Sequence, residues 1–216
     1  MVDPAELFNF DFRTGPAQTL VDPVDGVEKL YTSVESVTYM ARALAAMVGA
    51  AVLQEEIEQP DIILALARGG WSVGEVVARS LGMPAFVCQS SSLDSYHGEG
   101  IRGKVRLGQH PEAHRLHRMN VLIVDDVADE CTTLQEAVNQ AGRMGVRRAR
   151  TAVLYDKLKG DVRPDFAVAQ TSLWINFPYD QCDKIGNWFQ RQLDIPREER
   201  DQAALEAYFA SATPLG

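Results

Sequence analysis

Two short, uninterrupted apolar runs constrain this chain more than anything else in it. "DIILALA" (61–67) leads into "RGG", and "NVLIVDD" (120–126) leads into "VADECTT"; each loop is followed by apolar residues at helical spacing. Runs of six or so apolar residues with β-branched character, bounded by turn residues, read as strands buried on both faces. The first is followed by Val73, Val76, Val77 and Leu81, the second by Leu134, Ala137, Val138, Ala141 and Met144. A repeated strand–loop–helix unit of this kind predicts an α/β fold with a parallel, Rossmann-like sheet covered by helices on both faces. In such sheets ligands bind beyond the carboxyl ends of the strands, where both loops fall.

The rest of the chain extends this pattern. "YTSVESVTYMARALAAMVGAAVL" (31–53) opens with a capping-box spacing, Thr32-x-x-Glu35, and continues with Val37, Met40, Ala41, Leu44, Met47, Val48 and Ala51 on one helical face. Ser72-x-x-Glu75 is expected to open the helix after "RGG". "AFVCQ" (85–89), "RARTAVLYDK" (148–157) and "DFAVAQ" (165–170) supply further strands, and residues 90–112 read as a long polar, Gly-containing loop. Residues 1–30, rich in Pro, Gly and Asp, read as an irregular arm. At 216 residues one domain is expected.

Charge and cysteine usage narrow the function classes. The formal charge of -9 disfavours a nucleic-acid partner, which would need clustered Lys and Arg to neutralise phosphates; "RMGVRRAR" (143–150) is too short to reverse that. Three cysteines without a CxxC suggest neither a disulfide framework nor a thiolate zinc site. No basic and apolar leader stands at the N-terminus and no run approaches 18 apolar residues, so a cytoplasmic protein with no membrane partner is expected. His110, His114 and His117 would share a face only on a helix; in "HPEAHRLHRMN" they read as solvated histidines.

The two loops carry the chemistry. In "ALARGG" (65–70), Gly69 and Gly70 allow a sharp turn that aims backbone N–H groups at an anion, and Arg68 adds positive charge; an ordinary βα turn fits the same residues. In "VLIVDDVADECTTL" (121–134), adjacent carboxylates at a strand end can accept from vicinal sugar hydroxyls and attract a hard divalent ion, although a cap or solvated turn uses such residues too.

Together these residues resemble the type I phosphoribosyltransferases, and specifically the purine (hypoxanthine, guanine, xanthine) branch. "VLIVDDVADECTTL" is similar to that family's two acids, two apolar residues and Asp-Thr-Gly-x-Thr; "ALARGG" resembles its pyrophosphate loop; "SSLDSYHG" resembles its mobile loop. "VLYDKLKGDVRPDFAVAQTSLWINFPYD" resembles its Lys strand and aromatic hood segment, and the likeness spans roughly residues 30–181 in the right order.

The resemblance implies a single domain over 1–216, with a core of about 31–170 and a hood from 1–30 and 171–216. It implies transfer of a 5-phosphoribosyl group from PRPP, or a related sugar diphosphate donor, to a purine base, with Mg2+ as cofactor and a homo-oligomeric state. Arg68, Gly69, Gly70, Ser95 and Tyr96 would then serve the pyrophosphate, the last two on a lid. Asp125 and Asp126 would serve the ribose hydroxyls and, with Asp180, the metal. Asp129 would be the catalytic carboxylate, and Glu130, Cys131, Thr132 and Thr133 would cradle the 5'-phosphate. Lys157, Trp174 and the Ile175 backbone would bind the base. A related reading is a modified sugar-phosphate donor, or adenine, in a specialised nucleoside pathway; a rival from another class is a non-catalytic nucleotide-binding regulator on the same fold.

One departure stands out. Glu130-Cys131 occupies the place of the family's Thr-Gly. A carboxylate about 5 Å from a phosphate dianion, at an effective dielectric of ~20, opposes it by roughly 6 to 7 kcal/mol before screening. Cys131 adds a Cβ where backbone should approach phosphate and is expected to restrict a positive φ.

Overall fold

A computed structural model describes residues 17–22, 26–83, 86–92, 106–107, 111–196, 199–200 and 202–211. The chain divides into two compact units, Glu35–Leu173 and Met1–Val34 with Trp174–Gly216.

The larger unit is built on a six-stranded sheet. Its strands are β3 (Ile62–Ala67), β4 (Phe86–Ser92), β5 (Arg106–Leu107), β6 (Asn120–Ala128), β7 (Arg148–Asp156) and β8 (Phe166–Gln170), in the order β5-β4-β3-β6-β7-β8. Every neighbouring pair is parallel except β4–β5, a two-residue antiparallel edge. The chain runs outward from β3 to β4 and returns to the far side of β3 as β6. The order therefore reverses between β3 and β6, and a ligand crevice opens at such a point.

Both sheet faces are buried, as parallel strands require. Ile62, Leu64 and Leu66 join Val121, Ile123 and Val153 in one cluster, against which Leu134, Ala137 and Ala141 of α4 (Thr132–Arg143) pack. Ile63, Ala65, Leu122 and Val124, the alternate positions, are buried as well. Helix α2 (Gly69–Ser80) buries Val73, Val77 and Ala78, and α3 (Ala113–Leu116) is a single turn.

Helix α1 (Val34–Leu53) is long and apolar enough to cross a membrane by length and composition. Its buried residues, however, are Val37, Met40, Ala41, Leu44, Ala45, Val48 and Ala51, spaced by three and four. That is the stripe of a helix packed on a protein core.

In the smaller unit, β1 (Gln18–Val21) and β2 (Glu28–Tyr31) form an antiparallel pair, and β9 (Trp174–Asn176) adds to β2 in parallel. Helices α5 (Asp180–Leu193) and α6 (Gln202–Ser211) complete it. The stretch expected to be irregular thus contains a hairpin. Its turn is closed by Gly26 N–H donating to the Asp22 carbonyl at 2.8 Å, and by Lys29 and Tyr31 both reaching the Asp22 carboxylate.

Two helix starts differ from the sequence expectation. The Thr32 hydroxyl donates to the Asn176 carbonyl at 3.2 Å, so it anchors β2 to β9 as well as preceding α1. Helix α2 begins three residues before Ser72, at the loop glycines themselves, with Arg68 as N-cap. Ser72 lies inside the first turn, its hydroxyl 3.5 Å from the Gly69 carbonyl.

Candidate active site

The register sets the carboxyl ends of β3, β6 and β7 side by side. Ala65 pairs with Val124, and Ala128 pairs with Asp156. The "RGG" and "DDVADE" loops leave the sheet at these adjacent ends.

Gly69 and Gly70 are required by close approach. A Cβ on Gly69 would stand 2.0 Å from Asp126 Oδ2, and one on Gly70 would stand 2.5 Å from the Val124 carbonyl and 3.0 Å from Asp125 Cα. At Gly70 the obstacle is backbone and no side chain fits, whereas at Gly69 it is the Asp126 carboxylate itself, so the loop backbone lies directly on the two acids. The Ala67–Arg68 peptide is cis, and Arg68 is exposed.

Asp125 and Asp126 lie near the carboxyl end of β6, with Asp126 only 8% exposed. Burial holds the Asp125 carboxyl well above the ordinary carboxylate range, and the Asp126 charge beside it pushes the same way; the Asp126 and Gly70 N–H groups partly offset both. The Asp126 N–H donates to Asp125 Oδ1 at 2.9 Å. Two crowded, poorly hydrated carboxylates gain from a cation or from hydroxyl donors placed between them. They therefore fit Mg2+, a hard ion that takes one or two protein carboxylates and fills its remaining positions with water and phosphate oxygens. Among the described residues no group of three or more His, Cys, Asp or Glu side chains is gathered for a metal. Asp180, the third expected ligand, belongs to the smaller unit, where its Oδ2 accepts from the Phe177 N–H at 2.8 Å at the start of α5.

Beyond these acids, β6 continues to Ala128 and the chain turns into α4. Cys131 is the N-cap of α4 and adopts the left-handed conformation, φ 58° and ψ 6°. The Cβ expected to restrict a positive φ thus does not keep Cys131 out of that conformation. The Cys131 side chain is 5% exposed and belongs to the apolar cluster beneath the loop, which offsets the backbone cost. Burial raises its thiol pKa, and the nearby Asp156 carboxylate adds to the rise. Glu130 is exposed, whereas Thr132 and Thr133 form the first turn of α4, where N–H groups lack intrahelical acceptors and favour an anion.

Asp129 faces two ammonium groups. Lys159 Nζ is 2.9 Å and Lys157 Nζ 3.7 Å from its Oδ1. Lys157 is 7% exposed, although lysine is rarely buried. Burial lowers its pKa, Asp129 partly restores it, and Lys159 lowers it further. The sequence reading missed Lys159; the Lys-x-Lys spacing at the end of β7 was the available signal.

Of the base-binding residues expected in the smaller unit, Trp174 is 55% exposed and Ile175 is buried; Phe177 nearby is buried too and stacks on Tyr179 with ring centroids 5.2 Å apart. Ser95, Tyr96 and His110 lie outside the described residues. His114 and His117 are exposed, α3 ends before His117, and His114 pairs with Glu112 at 3.4 Å, so no metal face forms there. A cavity of about 440 Å³ opens at the opposite, amino-terminal end of the strands, among Glu55, Glu58, Asn120 and Arg148. It is remote from the loops, and the strand-end geometry identifies the site better.

Comparison with known proteins agrees with this arrangement. The phosphoribosyl transferase domain model matches residues 36–184. No curated protein matched the sequence. Among solved structures, the purine phosphoribosyltransferase of Pyrococcus horikoshii Ot3 is similar at 29% identity and TM-score 0.57, over 70% of this chain and 93% of that one. A hypothetical protein of Neisseria gonorrhoeae with bound ppGpp (21% identity, TM-score 0.56, 71% and 89% covered) shares the fold. So does the Helicobacter pylori xanthine-guanine-hypoxanthine phosphoribosyltransferase (14%, 0.53, 74% and 97%). With a domain match covering most of its length and a parallel sheet carrying both loops at the reversal of strand order, the chain belongs to the phosphoribosyltransferase family and is a transferase of the type I fold.

Proposed function

We propose that this protein transfers the 5-phosphoribosyl group of PRPP to a 6-oxopurine, releasing pyrophosphate. The observation that carries the reading is the pairing of a buried ammonium, Lys157, with the Asp129 carboxylate at neighbouring strand ends. A 6-oxopurine presents an acceptor, O6, beside N7, which bears a proton in one tautomer; Lys157 donates to the first and Asp129 accepts from the second. The similar P. horikoshii enzyme, described as a purine phosphoribosyltransferase, supports the same base class.

The chemistry follows from these placements. The bond between C1' and the pyrophosphate oxygen breaks with its electron pair going to pyrophosphate, N9 of the base bonds to C1', and the N7 proton passes to Asp129. Positive charge that builds on the sugar ring is stabilised by the same carboxylate. The N–H groups at the start of α2 and Arg68 receive the pyrophosphate, and those at the start of α4 receive the 5'-phosphate. Asp125 and Asp126 accept from the ribose hydroxyls and would hold Mg2+, which supplies charge neutralisation for the departing pyrophosphate.

The test is a panel of hypoxanthine, guanine, xanthine and adenine with PRPP, with and without Mg2+, scored by mass spectrometry for nucleotide and pyrophosphate. Adenine sets a 6-amino donor against Lys157, and an unpaired buried polar group costs about 1 to 3 kcal/mol, or roughly 5- to 150-fold. Oxopurines should lead by that margin with Mg2+ present; faster turnover of adenine would overturn the base assignment.

A further inference from the structure

The two ammonium groups at Asp129 are not equivalent. Lys159 Nζ forms the closer ion pair with Asp129 Oδ1, while the buried Lys157 stands 0.8 Å farther off, at 3.7 Å against 2.9 Å. The turn carrying them is built for this. Leu158, between them, adopts φ 58°, a conformation in which its Cβ crowds the carbonyl. The surroundings impose it: the Leu158 N–H donates to Asp156 Oδ1 at 2.8 Å, and Arg163 donates to the Leu158 carbonyl at 3.0 Å while reaching the same Asp156 oxygen at 3.4 Å. The turn is also seated on the phosphate loop. The Lys157 N–H donates to the Ala128 carbonyl at 2.9 Å, and Gly160 lies so close to Glu130 that a Cβ there would stand 2.6 Å from its carbonyl oxygen.

We propose that Lys159 is a positioning residue for phosphoribosyl transfer: it holds the Asp129 carboxylate at close range and thereby keeps the Lys157 ammonium from closing on it, so that donor and acceptor both remain aimed at the base. The proposal rests on the base site described above. Without Lys159, attraction across 3.7 Å draws Lys157 onto Asp129, and the resulting internal pair faces itself instead of the substrate. The other charged or titratable groups named around this turn are Glu130 and Arg163, which are exposed, and Cys131 and Asp156, which are buried beneath the loop.

The experiment compares K159M and K159R with D129N in steady-state kinetics, using PRPP and whichever base turns over fastest. Loss of one oriented charge-assisted contact predicts that K159M lowers kcat by about tenfold and raises the KM for base several-fold, with the KM for PRPP moving less than about twofold. K159R, which keeps a cation in reach, should recover kcat to within about threefold. The melting temperature should change little in both, because Lys159 is about half exposed and an ion pair made by such a side chain contributes little to stability. Wild-type kinetics in K159M, a loss that K159R does not rescue, or an equal rise in the KM for PRPP would overturn the proposal. If D129N itself turns over normally, the base-site reading falls; if D129N is inactive while K159M is unaffected, only the role of Lys159 falls.

Discussion

Alanine at Gly69 and at Gly70 should fail in different ways, because the added methyl meets different atoms. At Gly70 it would lie 2.5 Å from the Val124 carbonyl and 3.0 Å from Asp125 Cα, both backbone atoms of a central strand. Neither can move without disturbing β6, and overpacking of this kind costs about 1 to 3 kcal/mol. At roughly 2 to 4 °C per kcal/mol for a chain of this size, the melting temperature should fall by about 2 to 12 °C. At Gly69 the methyl would lie 2.0 Å from Asp126 Oδ2 and 2.4 Å from Cγ. A carboxylate can rotate away, at a cost of about 0.5 to 1.5 kcal/mol, so the fold should survive with a melting temperature within about 6 °C of wild type. The rotated carboxylate no longer faces the sugar. A lost hydrogen bond to a charged group is worth about 1.5 to 3 kcal/mol, so PRPP affinity should drop by about ten- to over a hundredfold. Differential scanning fluorimetry and isothermal titration with PRPP and Mg2+ read both effects. A Gly69→Ala protein that binds PRPP normally would remove Asp126 from the donor site, and a Gly70→Ala protein as stable as wild type would refute the packing argument.

Asn at both Asp125 and Asp126 should abolish Mg2+-dependent PRPP binding while leaving the protein folded, checked by calorimetry and circular dichroism; retained affinity would contradict the site. Lys157→Met should raise the melting temperature at neutral pH and weaken oxopurine binding. Because the folded-state pKa of Lys157 is lowered, the native state binds fewer protons than the unfolded one between that value and about 10.4, and wild-type stability should gain with rising pH across this window. The variant should lose that gain, which pH-dependent denaturation would show. Glu130→Thr combined with Cys131→Gly should alter PRPP affinity less than about fivefold, since an exposed carboxylate is screened by a water-like dielectric; a larger gain would mean that Glu130 faces the phosphate.

Where the sequence was legible, a single physical cause dominated. The strands at Ile62–Ala67 and Asn120–Ala128 were visible because central parallel strands are apolar on both faces, and α1 because its apolar residues keep a helical period. The hairpin of β1 and β2 was hidden by composition: four-residue strands flanked by Pro, Gly and Asp carry too few alternations to register. The start of α2 was misplaced because a capping box is a side-chain signal. Here the helix begins on two glycines chosen for the atoms they must not touch. Lys159 escaped notice because the turn that brings it to Asp129 passes through a left-handed Leu158, which the sequence pattern alone does not place there.

The Glu130-Cys131 departure also becomes intelligible once side chains have directions. The conformation that a glycine would supply at Cys131 is kept, φ 58°, and the thiol turns inward to join Leu66, Leu134 and Val153 in the core cluster. A left-handed residue costs about 1 to 2 kcal/mol, and burying a small apolar side chain returns about as much. The Cβ therefore points away from the face on which a phosphate would sit. Glu130 beside it is exposed, and Gly160 packs against the Glu130 backbone. The exchange of Thr-Gly for Glu-Cys thus changes what the loop shows to solvent and to the core, while its N–H groups at the start of α4 keep their place. The same packing seats the Lys157–Gly160 turn, so the loop that would receive the phosphate and the turn that would read the base are braced against each other.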